Sequence, residues 1–261
     1  MDAHLPEYEL SAIRYAERDA LRSDHFIGGD PHDGPMPMDY FVWVGVAPHH
    51  TVVVDTGFTA EVAAARKRRF LRCPIEALSL VGIDGSAVKD VVLTHMHYDH
   101  VGNFHRLPSA QFHLQEVELH YTTGRHMRHP FLARSFEVED VVGIVRLNFA
   151  QRVKLYDGPA ELSPGITLHP VGGHTPGMQF VLVHTSAAGS RWRPMSRIIT
   201  RTWRPAGPSP QPSTSATCSR PTTHCAPMHR ACITSSPGTT RWSCGNTRRR
   251  GWNKAWRSAS T

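Results

Sequence analysis

Short apolar runs and amphipathic stretches alternate along the first 186 residues and predict strands and helices in succession. Runs rich in β-branched and aromatic residues are typical of strands, and they cover residues 40–46, 51–55, 88–93, 151–156, 166–170 and 180–184. Helical patterns run from a cap at Thr59 through the basic stretch 66–69, and over 75–81, 115–120 and 136–150. The two strands at 40–46 and 51–55 predict an antiparallel hairpin. This alternation indicates an α/β layered architecture.

Potential metal ligands concentrate directly after the apolar strand 88–93. His95, His97, Asp99 and His100 lie within six consecutive positions. Imidazole and carboxylate groups are ligands that zinc takes at about 2 Å. The chain contains 18 histidines, but this pattern would arise by chance in roughly a few of every thousand such chains, the usual risk of a short motif. The segment therefore predicts a zinc site.

The motif His95-x-His97-x-Asp99-His100 resembles the signature of the metallo-β-lactamase-fold hydrolases. Residues 39–44, 51–58 and 172–177 are similar to further segments of that superfamily, in the same order and spacing. Within the superfamily, the chain most resembles the N-acyl-homoserine lactonase-like branch, over residues 1 to about 186. The resemblance implies an α/β fold of the αβ/βα four-layer sandwich type.

The resemblance also implies a metal-ligand set. His95, His97 and His174 would bind the first metal, and Asp99 and His100 would bind the second. Two glycines precede His174 and allow the backbone a tight turn toward the metal. Three imidazoles with an open fourth position form a ligand set that can activate water.

The implied reaction is hydrolysis of an ester, lactone or thioester of small size. A metal-bound hydroxide would attack the carbonyl carbon, and Asp99 would act as the catalytic group that passes a proton to the leaving oxygen. Asp55 would orient a ligand histidine, although Asp55 in Asp-Thr-Gly is equally well interpreted as a turn residue. Opening of an N-acyl-homoserine lactone, and hence quorum quenching, is the leading hypothesis. A glyoxalase II-like thioesterase and an inactive remnant of such an enzyme are the alternatives.

Composition changes abruptly after residue 186. All 22 acidic residues lie at or before Glu161, whereas residues 187–261 carry 12 Arg and one Lys, five of the six Trp and four of the five Cys. The tail has no Leu, Val, Phe or Tyr, a deficit typical of disorder. Its tryptophans do not fit that interpretation. Arg, Pro, Ser, Trp and Cys together are typical of a G/C-rich gene translated in the wrong frame.

A single frame shift recovers sequence motifs that the family pattern requires. With permitted codons, residues 191–203 can be re-read as Leu-Ala-Ser-Asp-Val-Ala-His-Tyr-Tyr-Ala-Asn-Met, and residues 232–243 as His-His-Val-Ile-Pro-Gly-His-Asp-Pro-Leu-Val. These supply the bridging Asp and the last His that the written chain lacks. We therefore predict a hydrolase domain over 1–186 and an out-of-frame tail over 187–261, with the C-terminal part of the fold incomplete or disordered.

The missing residues limit the expected cofactor content. The family holds two Zn²⁺, but with only Asp99 and His100 the second position falls short of a stable zinc site, so this chain is expected to hold one or none. A basic tail with tryptophans also suits nucleic-acid binding, but the frame shift explains the same composition and we expect no such partner. The N-terminus shows no secretory leader and no run approaches the roughly 18 apolar residues of a membrane span. We expect a cytoplasmic protein without membrane contact, and a homodimer is left open.

Overall fold

Two β-sheets pack face to face, and helices cover the outer face of the larger one. The computed structural model describes residues 5–25 and 32–185, and the backbone of residues 191–194. The large sheet has seven strands in the order β4-β1-β2-β3-β5-β6-β7, and the small sheet has four in the order β11-β10-β9-β8. The strands of the large sheet are β1 (Glu9–Arg18), β2 (Met38–Ala47), β3 (His50–Val54), β4 (Arg69–Phe70), β5 (Asp90–Val92), β6 (Gln111–Gln115) and β7 (Val153–Tyr156).

The small sheet and the helices complete the described part of the chain. The strands of the small sheet are β8 (Ala160–Ser163), β9 (Ile166–Pro170), β10 (Gln179–Thr185) and β11 (Arg191–Pro194). The α-helices are α1 (Ala60–Ala65), α2 (Glu116–Thr123), α3 (Pro130–Ala133) and α4 (Val138–Phe149). Short 3₁₀ turns join these elements, including Glu76–Val81, which ends at Gly82. None of the helices in the described ranges is long and apolar enough to cross a membrane.

Alternation along the central strands explains the layers. Val52 and Val54 of β3 belong to the core between the two sheets, whereas Val53 belongs to the core beneath the helices. Since successive side chains of a strand point to opposite faces, a strand that is apolar at every position must be covered on both. Ile166 and Val181 complete the inter-sheet core, and Ile144 of α4 lies in the helical one. The predicted α/β sandwich is confirmed, and the described residues supply three of its four layers.

Each of the six predicted strands is present, but the helix predicted to run through the basic stretch 66–69 ends before it. Helix α1 ends at Ala65, and Arg69–Phe70 forms β4 beside β1 instead of a last helical turn. Lys67 has a φ of 55°, a left-handed conformation that a helix does not continue through. Arg66 and Arg68 pack against Tyr98, so they do not form the solvated helix face that the pattern suggested.

Several strands were not predicted at all. Strands β1, β6 and β8 mix charged or amide side chains with apolar ones, so that no long apolar run marks them: β1 is ELSAIRYAER and β6 is QFHLQ. Strand β11 lies in the segment predicted to be incomplete or disordered, and it pairs antiparallel with β10. An exposed strand edge pairs through backbone groups, whatever the side chains. The rest of the predicted tail lies outside the described residues, so the domain boundary and the frame shift stay predictions.

Candidate metal centre

Parallel pairing brings the candidate site residues to one end of the large sheet. Val54 at the end of β3 lies opposite Val92 at the end of β5. The carboxyl ends of parallel strands share one edge, where loops form binding sites in α/β folds. Asp55 follows β3 directly, and the His95–His100 loop begins three residues after β5. The connection from β9 to β10 delivers His174 from the small sheet.

Three histidines converge at this edge. The ligand nitrogens of His95, His97 and His174 all lie within 4.8 Å of one another. Their ring centroids are separated by 4.6 Å, 5.0 Å and 4.5 Å. His95 is 1% exposed, and its Nε2 has no hydrogen-bond partner among the described residues. A buried polar atom without a partner is costly, and a metal ion held by the three imidazoles would satisfy it. These residues therefore fit a zinc ion.

Asp55 holds the adjacent histidine in a defined orientation. Its Oδ2 accepts a 2.7 Å hydrogen bond from His100 Nδ1, which leaves His100 Nε2 3.3 Å from Asp99 Oδ2. Thr94 donates to Asp55 from its backbone N–H at 2.8 Å and from its hydroxyl. Asp55 is 1% exposed and has a φ of 64°. Asp55 therefore occupies a turn and is hydrogen-bonded to His100, which is compatible with both interpretations of this residue.

The described residues do not complete a second metal position. Asp99 and His100 lie beside the three-histidine cluster, and the His95 and His100 ring centroids are 4.0 Å apart. Within the described ranges, however, the three histidines are the one set of three or more ligand atoms close enough to hold an ion. No acidic residue follows Glu161 in the sequence, so residues 162–261 offer no carboxylate side chain that could bridge two metals. Two protein ligands do not fit a stable zinc site.

Burial and mutual repulsion keep the three histidines uncharged. Burial, followed by the neighbouring histidines, lowers the pKa of His95 well below its ordinary value. Burial and His174 lower the pKa of His97 to about 3. The pKa of His174 is also lowered, by partial burial and then by His100. Neutral imidazole is the form that binds metal, so the cluster is ready for a metal at neutral pH.

Next to the three histidines, Asp55 and Asp99 favour the charged form of His100. Burial alone would lower the pKa of His100, but Asp99 and Asp55 outweigh it and raise that pKa well above its ordinary value. Burial would raise the pKa of Asp99, but His100 and His97 hold it below its usual range. Asp99 is therefore ionised at neutral pH and can accept a proton.

Acidification is expected to destabilise the metal-free chain between about pH 6.5 and pH 4.5. The unfolded chain binds protons at His95 and His97 in this range and the folded chain does not, so the free energy of unfolding falls as pH falls. His100, whose raised pKa keeps it protonated in the folded state, opposes this fall only near pH 6.5, where the unfolded histidine is still partly neutral. Thermal unfolding in EDTA across this range measures the effect. A stability that rises toward pH 4.5 would contradict it.

Replacing Asp55 by Asn is expected to reduce kcat/KM by roughly 10- to 100-fold, because partners of this kind fix the orientation of site histidines. The two carboxylate oxygens of Asp55 accept hydrogen bonds from Thr94 and from His100. The amide nitrogen of Asn is itself a donor, so one of these two bonds would be lost. Asp157→Asn is the matched control, since Asp157 is exposed. Steady-state kinetics with zinc added would show the difference. Equal kcat/KM in the two variants would contradict the prediction that Asp55 orients His100.

Other residues that hold the ligand loop carry no sequence signal. Tyr15 of β1 donates from its hydroxyl to the backbone oxygen of Asp99 at 2.9 Å. Asn103 is buried, and its amide nitrogen donates to three backbone oxygens in residues 56–58. Phe136 packs edge-on against His97 with ring centroids 4.6 Å apart. Each contact joins positions between 39 and 84 residues apart, which no local motif reveals.

Arginine and tyrosine side chains border the ligand loop on its other side. The Arg66 guanidinium lies 3.9 Å from the centroid of the Tyr98 ring, and Arg68 Nε donates to the Tyr98 hydroxyl at 3.2 Å. The Tyr40 hydroxyl is 3.1 Å from that of Tyr98. Tyr98 immediately precedes Asp99, so this cluster fixes the backbone beside the proposed proton-transfer residue.

Comparisons with known proteins show which proteins this chain is similar to. An N-acyl homoserine lactonase from Bacillus sp. is 27% identical over 115 residues, which are 44% of this chain and 40% of the relative's length. A quorum-quenching N-acyl homoserine lactone lactonase superposes with a TM-score of 0.59 at 18% identity, over 72% of this chain and 73% of that one.

A second solved structure is an N-acyl homoserine lactone hydrolase with the product N-hexanoyl-L-homoserine bound at its catalytic metal centre. It superposes with a TM-score of 0.58 at 17% identity, over 72% of this chain and 75% of that chain. At such identities the superpositions establish the fold. The sequence pattern described as "Metallo-beta-lactamase superfamily" matches residues 37–189, more than half of the chain. This chain therefore belongs to the metallo-β-lactamase superfamily.

Proposed function

We propose that this protein is a zinc-dependent hydrolase that opens N-acyl-homoserine lactone rings, with reduced activity in the chain as written. The observation that carries the proposal is the convergence of His95, His97 and His174, whose ligand nitrogens lie within 4.8 Å of one another, with the buried Nε2 of His95 left without a hydrogen-bond partner among the described residues. Lactonases among the relatives support the lactone as substrate over other esters. Membership of the superfamily supports hydrolysis as the reaction class.

The ligand set and its neighbours divide the chemistry between them. Zinc bound by His95, His97 and His174 would supply a water of lowered pKa and a Lewis acid for the carbonyl oxygen. Asp99 is ionised at neutral pH and can take the proton of that water. As the water oxygen adds to the carbonyl carbon and the bond from that carbon to the ring oxygen breaks, Asp99 can give the proton to the ring oxygen, which completes hydrolysis to the open hydroxy acid.

His100 and its partners keep Asp99 in position for this transfer. The contact of His100 Nε2 with Asp99 places a positive charge beside the carboxylate, and Asp55 fixes the other ring nitrogen. In the full family site, His100 and Asp99 would belong to a second metal. In this chain the two side chains are paired with each other, and that pairing stabilises the ionised form of Asp99.

A substrate panel with the full-length chain tests the proposal. Zinc-loaded protein is assayed with N-hexanoyl- and N-decanoyl-homoserine lactone by acid release, and with S-lactoylglutathione by thiol release; EDTA-treated protein is the control. We expect zinc-dependent opening of the lactones. Preferential thioester cleavage would instead favour the glyoxalase II-like alternative. Zinc binding without hydrolysis of either class would support the inactive remnant.

A further inference from the structure

One buried carboxylate joins the two loops that carry the histidines. Glu118 lies in α2 and is 0% exposed. Its Oε1 accepts a 2.9 Å hydrogen bond from the backbone N–H of Met96, and its Oε2 accepts a 3.0 Å bond from the backbone N–H of Gly177. Burying a carboxylate is costly unless it is hydrogen-bonded, and these two bonds offset that cost.

The two bonds reach both halves of the candidate site. Met96 lies between His95 and His97, in the loop after β5 of the large sheet. Gly177 lies three residues after His174, in the connection from β9 to β10 of the small sheet. One side chain therefore bridges the two loops that carry ligands from different sheets.

Close packing makes this link rigid. A Cβ added at Gly177 would lie 2.4 Å from the backbone nitrogen and Cβ of Glu118 and 2.6 Å from its Cα. Real Cβ atoms do not approach backbone so closely, so any side chain at position 177 would push the connection away from α2. Glycine at this position allows the His174 loop to reach the carboxylate.

A second contact anchors the same connection at its base. The backbone N–H of Gln179 donates to Thr94 O at 2.9 Å, and its side chain donates to Leu93 O at 2.9 Å. Gln115 donates to Gln179 Oε1 at 2.8 Å. The base of the connection is therefore fixed independently, and Glu118 acts on the end nearer the ligands.

We propose that Glu118 is a positioning residue that sets the distance between the His95–His97 loop and the His174 loop, and thereby the zinc affinity of the three-histidine site. The inference rests on the proposed function, since it assumes that the three histidines bind zinc. Side chains that orient metal ligands from behind typically change metal affinity by roughly 10- to 100-fold when they are removed.

Replacing Glu118 by Gln tests this with little change in size. The amide presents a donor to one of the two backbone N–H groups, so one loop loses its hydrogen bond. Zinc affinity of the full-length chain, measured by competition with a chromophoric chelator, is expected to fall by roughly 10- to 100-fold. The visible spectrum of the Co²⁺-substituted protein is expected to shift, because the ligand geometry changes. Glu116→Gln is the matched control, on the same helix but exposed.

Gly177→Ala tests the same contact from the opposite loop and covers the case in which the Glu118 variant does not fold. It too is expected to weaken zinc binding and shift the Co²⁺ spectrum. Wild-type zinc affinity and an unchanged spectrum in the folded variants would overturn the positioning role and leave the proposed function intact. Absence of zinc binding in the wild-type chain would overturn both.

Discussion

The His97→Ala variant is expected to lose its zinc and to hydrolyse its substrate at least about 10³-fold more slowly. Metal activation lowers the activation free energy by several kcal/mol, and each 1.4 kcal/mol changes the rate about tenfold. Removal of His97 leaves His95 and His174 as the imidazoles of the cluster. Two ligands are fewer than zinc uses in stable sites. Zinc content after dialysis and kcat/KM on N-hexanoyl-homoserine lactone measure the two losses.

The control for this variant is His120→Ala. The His120 side chain is 70% exposed and its nearest charged partner, Glu116, is 3.8 Å away. Its removal is expected to change neither zinc content nor rate. If the His97 variant kept its zinc and its activity, the three-histidine cluster would not be the metal centre, and the proposed mechanism would fail with it.

Restoring the shifted reading frame is expected to raise zinc content from about one to about two per chain and kcat/KM by at least about 100-fold. The re-read segments supply an Asp in a Ser-Asp context and a His in Pro-Gly-His-Asp, the two ligands that the written chain lacks. A second metal adds a Lewis acid worth several kcal/mol to the transition state. Asp99 and His100 would then have the additional ligands that a second position requires.

The measurement begins with the gene, by sequencing the codons for His184 to Pro194. Zinc per chain and lactone kinetics are then compared between the written and the frame-restored proteins. A restored chain whose recovered Asp codon encodes Ala is the control, and it is expected to stay near one zinc. Equal zinc content in the written and restored proteins would contradict the frame-shift hypothesis.

Local patterns predicted the parts of the fold that burial alone determines. Strands β2, β3, β9 and β10 are apolar runs, and the structure places them within one or two residues of the predicted ranges. The helix after Thr59 began as predicted, since the Thr59 hydroxyl accepts from Val62 N–H as a cap. Its end was wrong, because tertiary pairing of β4 with β1 replaced the continuing helix.

The candidate site divides in the same way. His95, His97, Asp99 and His100 occur in one short segment, so their spacing alone indicated metal chemistry. His174 was assigned through the resemblance, and the structure places it against the same cluster. Glu118 was missed because nothing in its local sequence distinguishes it from an ordinary helical glutamate, and its two hydrogen bonds reach 22 and 59 residues along the chain.

The sequence by itself determined which candidate ligand residues are available and where they lie along the chain. A histidine-rich ligand loop lies before residue 101, and no acidic residue follows Glu161. These are properties of composition and short-range order, which folding does not change. Only the tertiary structure decided how the loops meet. Asp55 reaches His100 across 45 residues, and Glu118 joins two sheets. Such contacts depend on strand pairing and on the direction of each hydrogen bond, so they exist only once the chain has folded.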